Sequence, residues 1–330
     1  MRCLVTGAGG FLGEYIVEKL VARGDAVRTL ARGSYAGLEK LGVEIRRGDV
    51  RDAQTVYAAC EDIDCVFHTA AVAGIWGPWE HFHSINTQGT KNVIDACWHH
   101  QVPRLVFTSS PSVTFDGTDQ CGVDESAEYP QKWLCHYSHT KALAEQLVIA
   151  ANGQDGLLTC SLRPHLIWGP RDNHLIPRLL QRAQDGKLRI VGDGTNLVDI
   201  VYVENAADAH LLAADSLKPG SNTCGRNYFI SQGEPVNCWN WINEILVRAG
   251  LKPVSKKISK EAAWRIGHGM EVVYQLLGWS SEPRMTRFLA AQLATSHYFD
   301  IQRARSDFGY VPQISTQEGM RRLVNSWSNG

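Results

Sequence analysis

Three side chains in this chain have the types and spacing to move a proton. Tyr137 and Lys141 stand four residues apart in Tyr137-Ser138-His139-Thr140-Lys141. On a helix that spacing puts both on one face. A phenol ordinarily titrates near about 10. A neighbouring ammonium favours the phenolate, so the pairing is expected to lower the Tyr137 pKa toward neutrality. Tyr137 then becomes a proton donor or acceptor at physiological pH. Lys141 is also long enough to reach a ribose hydroxyl. Ser110 directly follows the apolar run Arg104–Ser109, so its hydroxyl would sit at a strand's carboxyl end, where it can hold a substrate oxygen. The chemistry of such a trio is acid–base work at a carbonyl or an alcohol. Y-x-x-x-K alone also describes many exposed helix faces, so the elements before it decide.

Those elements begin at the N-terminus. Arg2-Cys3-Leu4-Val5 reads as a strand, and Leu12, Ile16 and Leu20 recur at helical spacing. Between them lie Gly7, Gly10 and Gly13. A turn this tight needs residues without a Cβ. It lets the backbone approach a pyrophosphate, while the helix opened by Phe11 and Leu12 offers free N–H groups and its positive dipole end. A second strand, Ala26–Ala31, ends where an acid usually marks a preference for NAD; here it is followed by Arg32 and Ser34. A guanidinium and a hydroxyl suit a 2′-phosphate, so NADPH is favoured over NADH. Asp49-Val50 closes the strand at 43–47, at the rim expected for adenine, where Asp49 reads equally as a helix cap. Ala70 and Ala71 follow the strand at 65–68 and are small enough for a dinucleotide to cross the sheet edge. The repeated β-α-β rhythm predicts an α/β fold, a Rossmann-type doubly wound parallel sheet with a smaller, mainly helical C-terminal lobe. Residues 1–163 form the expected cofactor domain, rejoined by about 195–215, and 164–330 mainly the substrate lobe.

Trp76 and Trp79 lie on a Gly/Pro-bearing loop and read either as core plugs or as the lining of an apolar pocket. A helix is expected over Ser84–Trp98 and another from Tyr137 to Ala151. Ala263, Ile266, Met270, Val273 and Leu277 mark one apolar face of a helix, which would cap a pocket or lie against a membrane. Of 330 residues, 44% are hydrophobic and 20% charged, and the net charge is −1. That balance argues against nucleic acid as a partner. No apolar run reaches transmembrane length, and no leader segment precedes the first strand. The nine cysteines are scattered with no C-x-x-C pair, which suggests reduced thiols, a cytoplasmic setting and no metal site.

Taken together, Gly7/Gly10/Gly13, Asp49, Asn86–Asn92, Ser109-Ser110, Tyr137/Lys141 and Arg163-Pro164 resemble the extended short-chain dehydrogenase/reductase superfamily. Leu162–Pro170, Asn196–Asp199 and Tyr202–His210 resemble its 3β-hydroxysteroid dehydrogenase-like branch. Ala73–Gly77, Gly169–Arg178 and Asp307–Pro312 are similar, within that branch, to the bacterial reductases of long-chain olefin biosynthesis that act on 2-alkyl-3-oxoalkanoic acids. The resemblance implies Tyr137 as proton donor, Lys141 as its partner and ribose ligand, and Ser110 as carbonyl ligand. It implies Pro164, His165, Leu166 and Ile167 beside the nicotinamide, a homodimer, and partner enzymes of one pathway. The implied reaction reduces the keto group to the 3-hydroxy acid with NADPH.

Other members of the superfamily act on nucleotide sugars. Ser110 is followed here by Pro111 and Ser112 rather than by an acid pair, and Val198 rather than arginine precedes Asp199, which argues against them. A non-catalytic NADP sensor tends to lose the tyrosine or lysine, and both are present. A sterol or steroid alcohol oxidised at its 3-position is the main alternative. A carboxylate substrate would want a cation, and Arg171, His174 and Arg178 follow the nicotinamide segment. With Trp76, Trp79 and Ser112 they are the candidate substrate residues. Peripheral contact with a membrane is compatible with the apolar helix.

Overall fold

The computed structural model describes residues 1–328. Its strands β1 (Arg2–Thr6), β2 (Ala26–Ala31), β3 (Glu44–Arg47), β4 (Cys65–His68) and β5 (Arg104–Thr108) enter one sheet. The short strand β6 (Gln120–Val123) lies outside it, and β7 (Leu158–Pro164) rejoins it. A seventh member, Arg226–Ile230, pairs with β7. The order is Arg226–Ile230, β7, β5, β4, β1, β2, β3, all parallel. From β1 the chain runs outward through β2 and β3, then returns to β4 on the other side. That reversal opens a crevice at the carboxyl ends of β1 and β4, where open α/β sheets bind ligands.

Successive side chains of a strand face opposite ways, and both faces are apolar here. Cys3, Val5, Phe67 and Val106 face α1 (Phe11–Ala22). Leu4, Val66, Leu105 and Phe107 face the other layer. After α2 (Ala36–Lys40), that layer is built from α3 (Ala53–Cys60), α4 (Trp79–Phe82), α5 (Gly89–His99) and α6 (His136–Ala150). The helix expected over Ser84–Trp98 is a π-helical turn, His83–Gln88, running into α5. Such turns recur at functional sites.

Past β7 come α7 (Leu175–Gln184), α8 (Val203–Ser216), α9 (Cys238–Arg248), α10 (Lys260–Leu276) and α11 (Arg287–Ala294). Helix α8 packs on α1 in the sheet's first core. The others gather around Trp168, Trp239, Trp241 and Ile245. A small sheet of Val236–Asn237, Leu197–Val198, His297–Phe299 and β6 joins this lobe to the rest.

Helix α10 departs from the expected apolar face. Its buried positions are Ala263, Gly267 and Glu271, whereas Ile266, Val273 and Leu277 are exposed. Gly267 lets the helix close on the backbone of Thr286; a Cβ there would stand 2.6 Å from the Thr286 carbonyl carbon. Glu271 is buried because it accepts from the Arg287 backbone N–H at 2.6 Å and from its Nε at 2.5 Å. Among the described residues no helix is long and apolar enough to cross a membrane. The cysteines are all unpaired, and Cys121 alone is exposed.

Candidate active site

The glycine turn is built for close approach. Gly7 has φ +71°, a left-handed conformation that side chains disfavour. A Cβ on it would meet the Ala70 backbone at 2.7 Å, and one on Gly13 would meet the Gly7 carbonyl at 2.4 Å. Gly10 caps α1 in extended conformation with no side-chain hydrogen bond, so the first-turn N–H groups remain for an anion. Leu12 is buried in the core, and Phe11 packs edge-on against Tyr15. A cleft of about 480 Å³ runs from this turn past Arg32, Asp49 and Val50 to Ala70 and Ala71. Backbone without side chains at the turn, a helix N-terminus and an elongated cleft fit a dinucleotide.

Arg32 is exposed at the cleft and has no ion pair among the described residues. Asp49 is bonded to Arg51 at 2.8 Å, which holds its carboxyl below the usual range. Ser34 is a correction. Its hydroxyl donates to Glu39 at 2.5 Å and accepts from Arg47 at 3.0 Å, so it is engaged beside the cleft. Two neighbours escaped the sequence reading. Arg47 stands opposite Ala31 in the β2–β3 register, a placement that strand pairing creates and linear spacing hides. The Tyr35 ring covers Gly9 so closely that a Cβ there would come within 2.1 Å of it.

A second cavity, about 200 Å³, brings together two of the three acid–base candidates. Ser110, Ser112 and Tyr137 line it together with Pro164 and Leu166. Ser110 caps the short turn Pro111–Thr114, accepting from the Ser112 N–H at 3.3 Å, and its Oγ lies 2.9 Å from that of Ser112. Ile167 pairs with Val201 just beyond. Tyr137 opens α6. Burial pushes its phenol up to about 12, and the Ser110 hydroxyl draws it partly back. Lys141 does not contribute the expected lowering. The physical reason lies in the lysine. Lys141 is buried, which pulls its own pKa down to about 7. It donates to the Thr108 carbonyl at 2.5 Å and lies 3.9 Å over the Phe107 ring.

One loop ties the cavities together. Thr69 to Ala73 borders the cofactor cleft, Ala73 to Ile75 the catalytic cavity, and Ile75 to Pro78 a third cavity of about 390 Å³. Trp76, Phe82, Trp133, Tyr274 and Trp279 give the third an aromatic lining. The Asn86 side chain holds the loop from the π-helical turn. Its Oδ1 accepts from the Val72 N–H at 2.8 Å, and its Nδ2 donates to the Val72 carbonyl at 3.3 Å and to Thr140 of α6 at 3.1 Å. His68 bonds Thr6 at 2.6 Å and Thr90 at 2.9 Å, and burial drops its pKa to about 3.

The candidate substrate residues separate. Trp76 lines the aromatic cavity and donates to the Trp279 carbonyl at 3.1 Å. Trp79 does not line it; the indole stacks on His83 and packs against His136 and His139. Arg171 is held by Glu18 at 2.6 Å and Glu14 at 3.3 Å, over the Tyr15 ring. Arg178 pairs with Glu282. Neither arginine lines the catalytic cavity, so tertiary ion pairs remove both as free cations there. His174 lines the cofactor cleft instead. His165, expected beside the nicotinamide, and His297, which the sequence reading passed over, both line the catalytic cavity; 132 residues separate them in the chain.

Comparison with known proteins agrees with this architecture. Residues 4–259 match the 3-beta hydroxysteroid dehydrogenase/isomerase family. The 2-alkyl-3-oxoalkanoate reductase of Stenotrophomonas maltophilia is 48% identical over 329 residues, covering 99% of this chain and 99% of that protein. The protein of the same name from Shewanella oneidensis is 46% identical, covering 98% of this chain and 86% of its own. Among solved structures, MoeE5 in complex with UDP-glucose and NAD superposes with a TM-score of 0.76 at 26% identity, over 100% of this chain and 99% of that one. This chain belongs to the 3-beta hydroxysteroid dehydrogenase/isomerase family, as an oxidoreductase of the extended short-chain dehydrogenase/reductase type.

Proposed function

We propose that this protein reduces the keto group of a long-chain 2-alkyl-3-oxoalkanoic acid to the 3-hydroxy acid with NADPH. The observation that carries this reading is the row of three cavities along the 69–78 loop, with Ser110 and Tyr137 in the middle one. The names of the two reductases that are nearly half identical over the whole chain support the substrate class.

A reduced nicotinamide held in the cleft supplies the hydride. On this reading Gly7, Gly10 and Gly13 receive the pyrophosphate, Arg32 the 2′-phosphate, and Asp49 with Val50 flank the adenine. Ala70, Ala71, Pro164, Leu166 and Ile167 frame the nicotinamide end. Ser110 Oγ donates to the keto oxygen and orients it. Tyr137 Oη gives that oxygen its proton, so no free alkoxide accumulates. Lys141, brought near a ribose hydroxyl that accepts from its ammonium, would lower the phenol's pKa. Residues 1–163, rejoined by α8 and the strand Arg226–Ile230 where about 195–215 was expected, would hold the cofactor, and the remainder of 164–330 mainly the substrate. A cytoplasmic homodimer working beside enzymes of the same pathway belongs to the same proposal.

The family match supports a second reading, oxidation of a 3β-hydroxysteroid or sterol, since an aromatic-lined cavity serves either ligand. The deciding experiment follows NADPH consumption with a 2-alkyl-3-oxoalkanoic acid or a 3-ketosteroid, each repeated with NADH. Turnover of the acid with NADPH is the expected result. Turnover of the steroid alone would overturn the substrate assignment.

A further inference from the structure

If the substrate is an acid, its carboxylate must meet something in the catalytic cavity. The lining contains no lysine, arginine, aspartate or glutamate. The groups there that can become cationic are His165 and His297. They form a bonded pair, His165 Nε2 to His297 Nδ1 at 2.6 Å, and both are nearly fully buried.

The pair's protons can be placed from its ends. His297 Nε2 lies 2.9 Å from the Gln292 carbonyl oxygen, which can only accept, so that nitrogen carries a proton. Neutral His297 then has a bare Nδ1, which must accept from His165 Nε2–H. Neutral His165 is left with a bare Nδ1, and that atom has no hydrogen-bond partner among the described residues. Thus a chain anchored on a backbone carbonyl ends in an open proton-accepting position on a residue that borders the same cavity as Ser110 and Tyr137.

We propose that His165, backed by His297, is the carboxylate-binding residue of the catalytic cavity, taking up one proton at Nδ1 when the acid substrate binds. This rests on the acid-substrate reading above. The proton comes from solvent, and no bond of the substrate changes. Burial lowers both pKa values, helped at His165 by the facing His297 ring and opposed at His297 by the Gln292 carbonyl and Asp119; an arriving carboxylate offsets that desolvation and favours the imidazolium. A permanently charged arginine would stand unpaired in this apolar cavity between turnovers, whereas a histidine can stay neutral.

Other titratable groups face the pair. Tyr137 comes from α6. Asp199 donates its backbone N–H to the His297 carbonyl at 3.0 Å, accepts from Phe299 at 2.9 Å, and is raised to about 6 by burial. Asp119 accepts from the Ser296 N–H at 2.7 Å. Ionised, any of the three would repel the carboxylate and leave the neutral ester unaffected, so the assignment of the acid-to-ester slope to the histidine rests on H165Q, which keeps all three groups.

The test measures KM for a 2-alkyl-3-oxoalkanoic acid and for its methyl ester between pH 6 and 9, with native protein and H165Q. For the native protein, the acid's KM relative to the ester's should rise about tenfold per pH unit above the pair's own pKa. H165Q should raise the acid's KM about 10- to 100-fold, leave the ester's within about twofold, and abolish the pH slope. A native ratio that does not change with pH overturns the proposal without any variant. So does H165Q affecting acid and ester alike. If the native protein reduces the ester but not the acid, the substrate assignment itself is wrong and the histidine role falls with it.

Discussion

Lys141 donates to the backbone carbonyl of Thr108, one helical turn away from the Tyr137 phenol it was expected to activate. Its Nζ lies over the Phe107 ring, and the side chain is buried. Burial there moves its pKa from the ordinary lysine range down to about 7. The folded state thus binds fewer protons than the unfolded chain between about 7 and about 10.4. The resulting destabilisation is absent above the unfolded value, grows as pH falls, and is complete below about 7. Lys141→Met should therefore melt several degrees higher than the native protein at pH 7, with the gain shrinking toward pH 10, while turnover is largely lost. Calorimetry across that range checks it. An equal or lower melting temperature at pH 7 would contradict the assigned burial penalty.

Tyr137→Phe removes one hydroxyl from the catalytic cavity and leaves the cofactor cleft untouched. The expected loss in kcat is about 10²- to 10⁴-fold, with the dissociation constant for NADPH, read from nicotinamide fluorescence, changed by less than about threefold. Near-native turnover would remove Tyr137 as the proton donor.

Arg32→Ala should weaken NADPH about 10- to 100-fold, the range of a charge-assisted bond to phosphate. NADH should be nearly unaffected. Titration of both cofactors against the variant decides it. Parallel weakening of the two would leave Arg32 a general surface charge.

Glu145 of α6 and Arg163 of β7 form an ion pair at 2.6 Å, with both side chains at most 2% exposed. Ser161 and Tyr129 also donate to the Glu145 carboxylate. Removing one partner strands a buried charge. Arg163→Met alone should cost about 3–5 kcal/mol, and Arg163→Met with Glu145→Leu markedly less. Urea unfolding of the single and double variants gives the comparison. A double variant as unstable as the single one would show that packing, not charge, holds this junction.

The glycine turn and the candidate trio were legible because their signals are local. Glycines whose backbone conformation forbids a side chain, and a tyrosine one turn from a lysine, carry their meaning in linear spacing. The features that escaped are made by tertiary contact. Arg171 looked like a free cation because Glu14 and Glu18 lie more than 150 residues away in the chain. The buried face of α10 was misread because Glu271, polar in any periodicity count, goes inside once Arg287 meets it. His165 and His297 became a pair only when the small sheet brought Phe299 and its neighbours beside β7.

The contact at Gly267 has a mechanical meaning. Because α10 rests there on the backbone leading into α11, the two helices have little freedom to separate. Tyr274 of α10 lines the aromatic cavity, and Phe288 of α11 lines the catalytic one. On the proposed reading, a tail too bulky for the aromatic cavity would push on the same helix pair that borders Ser110 and Tyr137. Length discrimination would then show up as a misaimed carbonyl and a slow turnover, with entry itself unhindered.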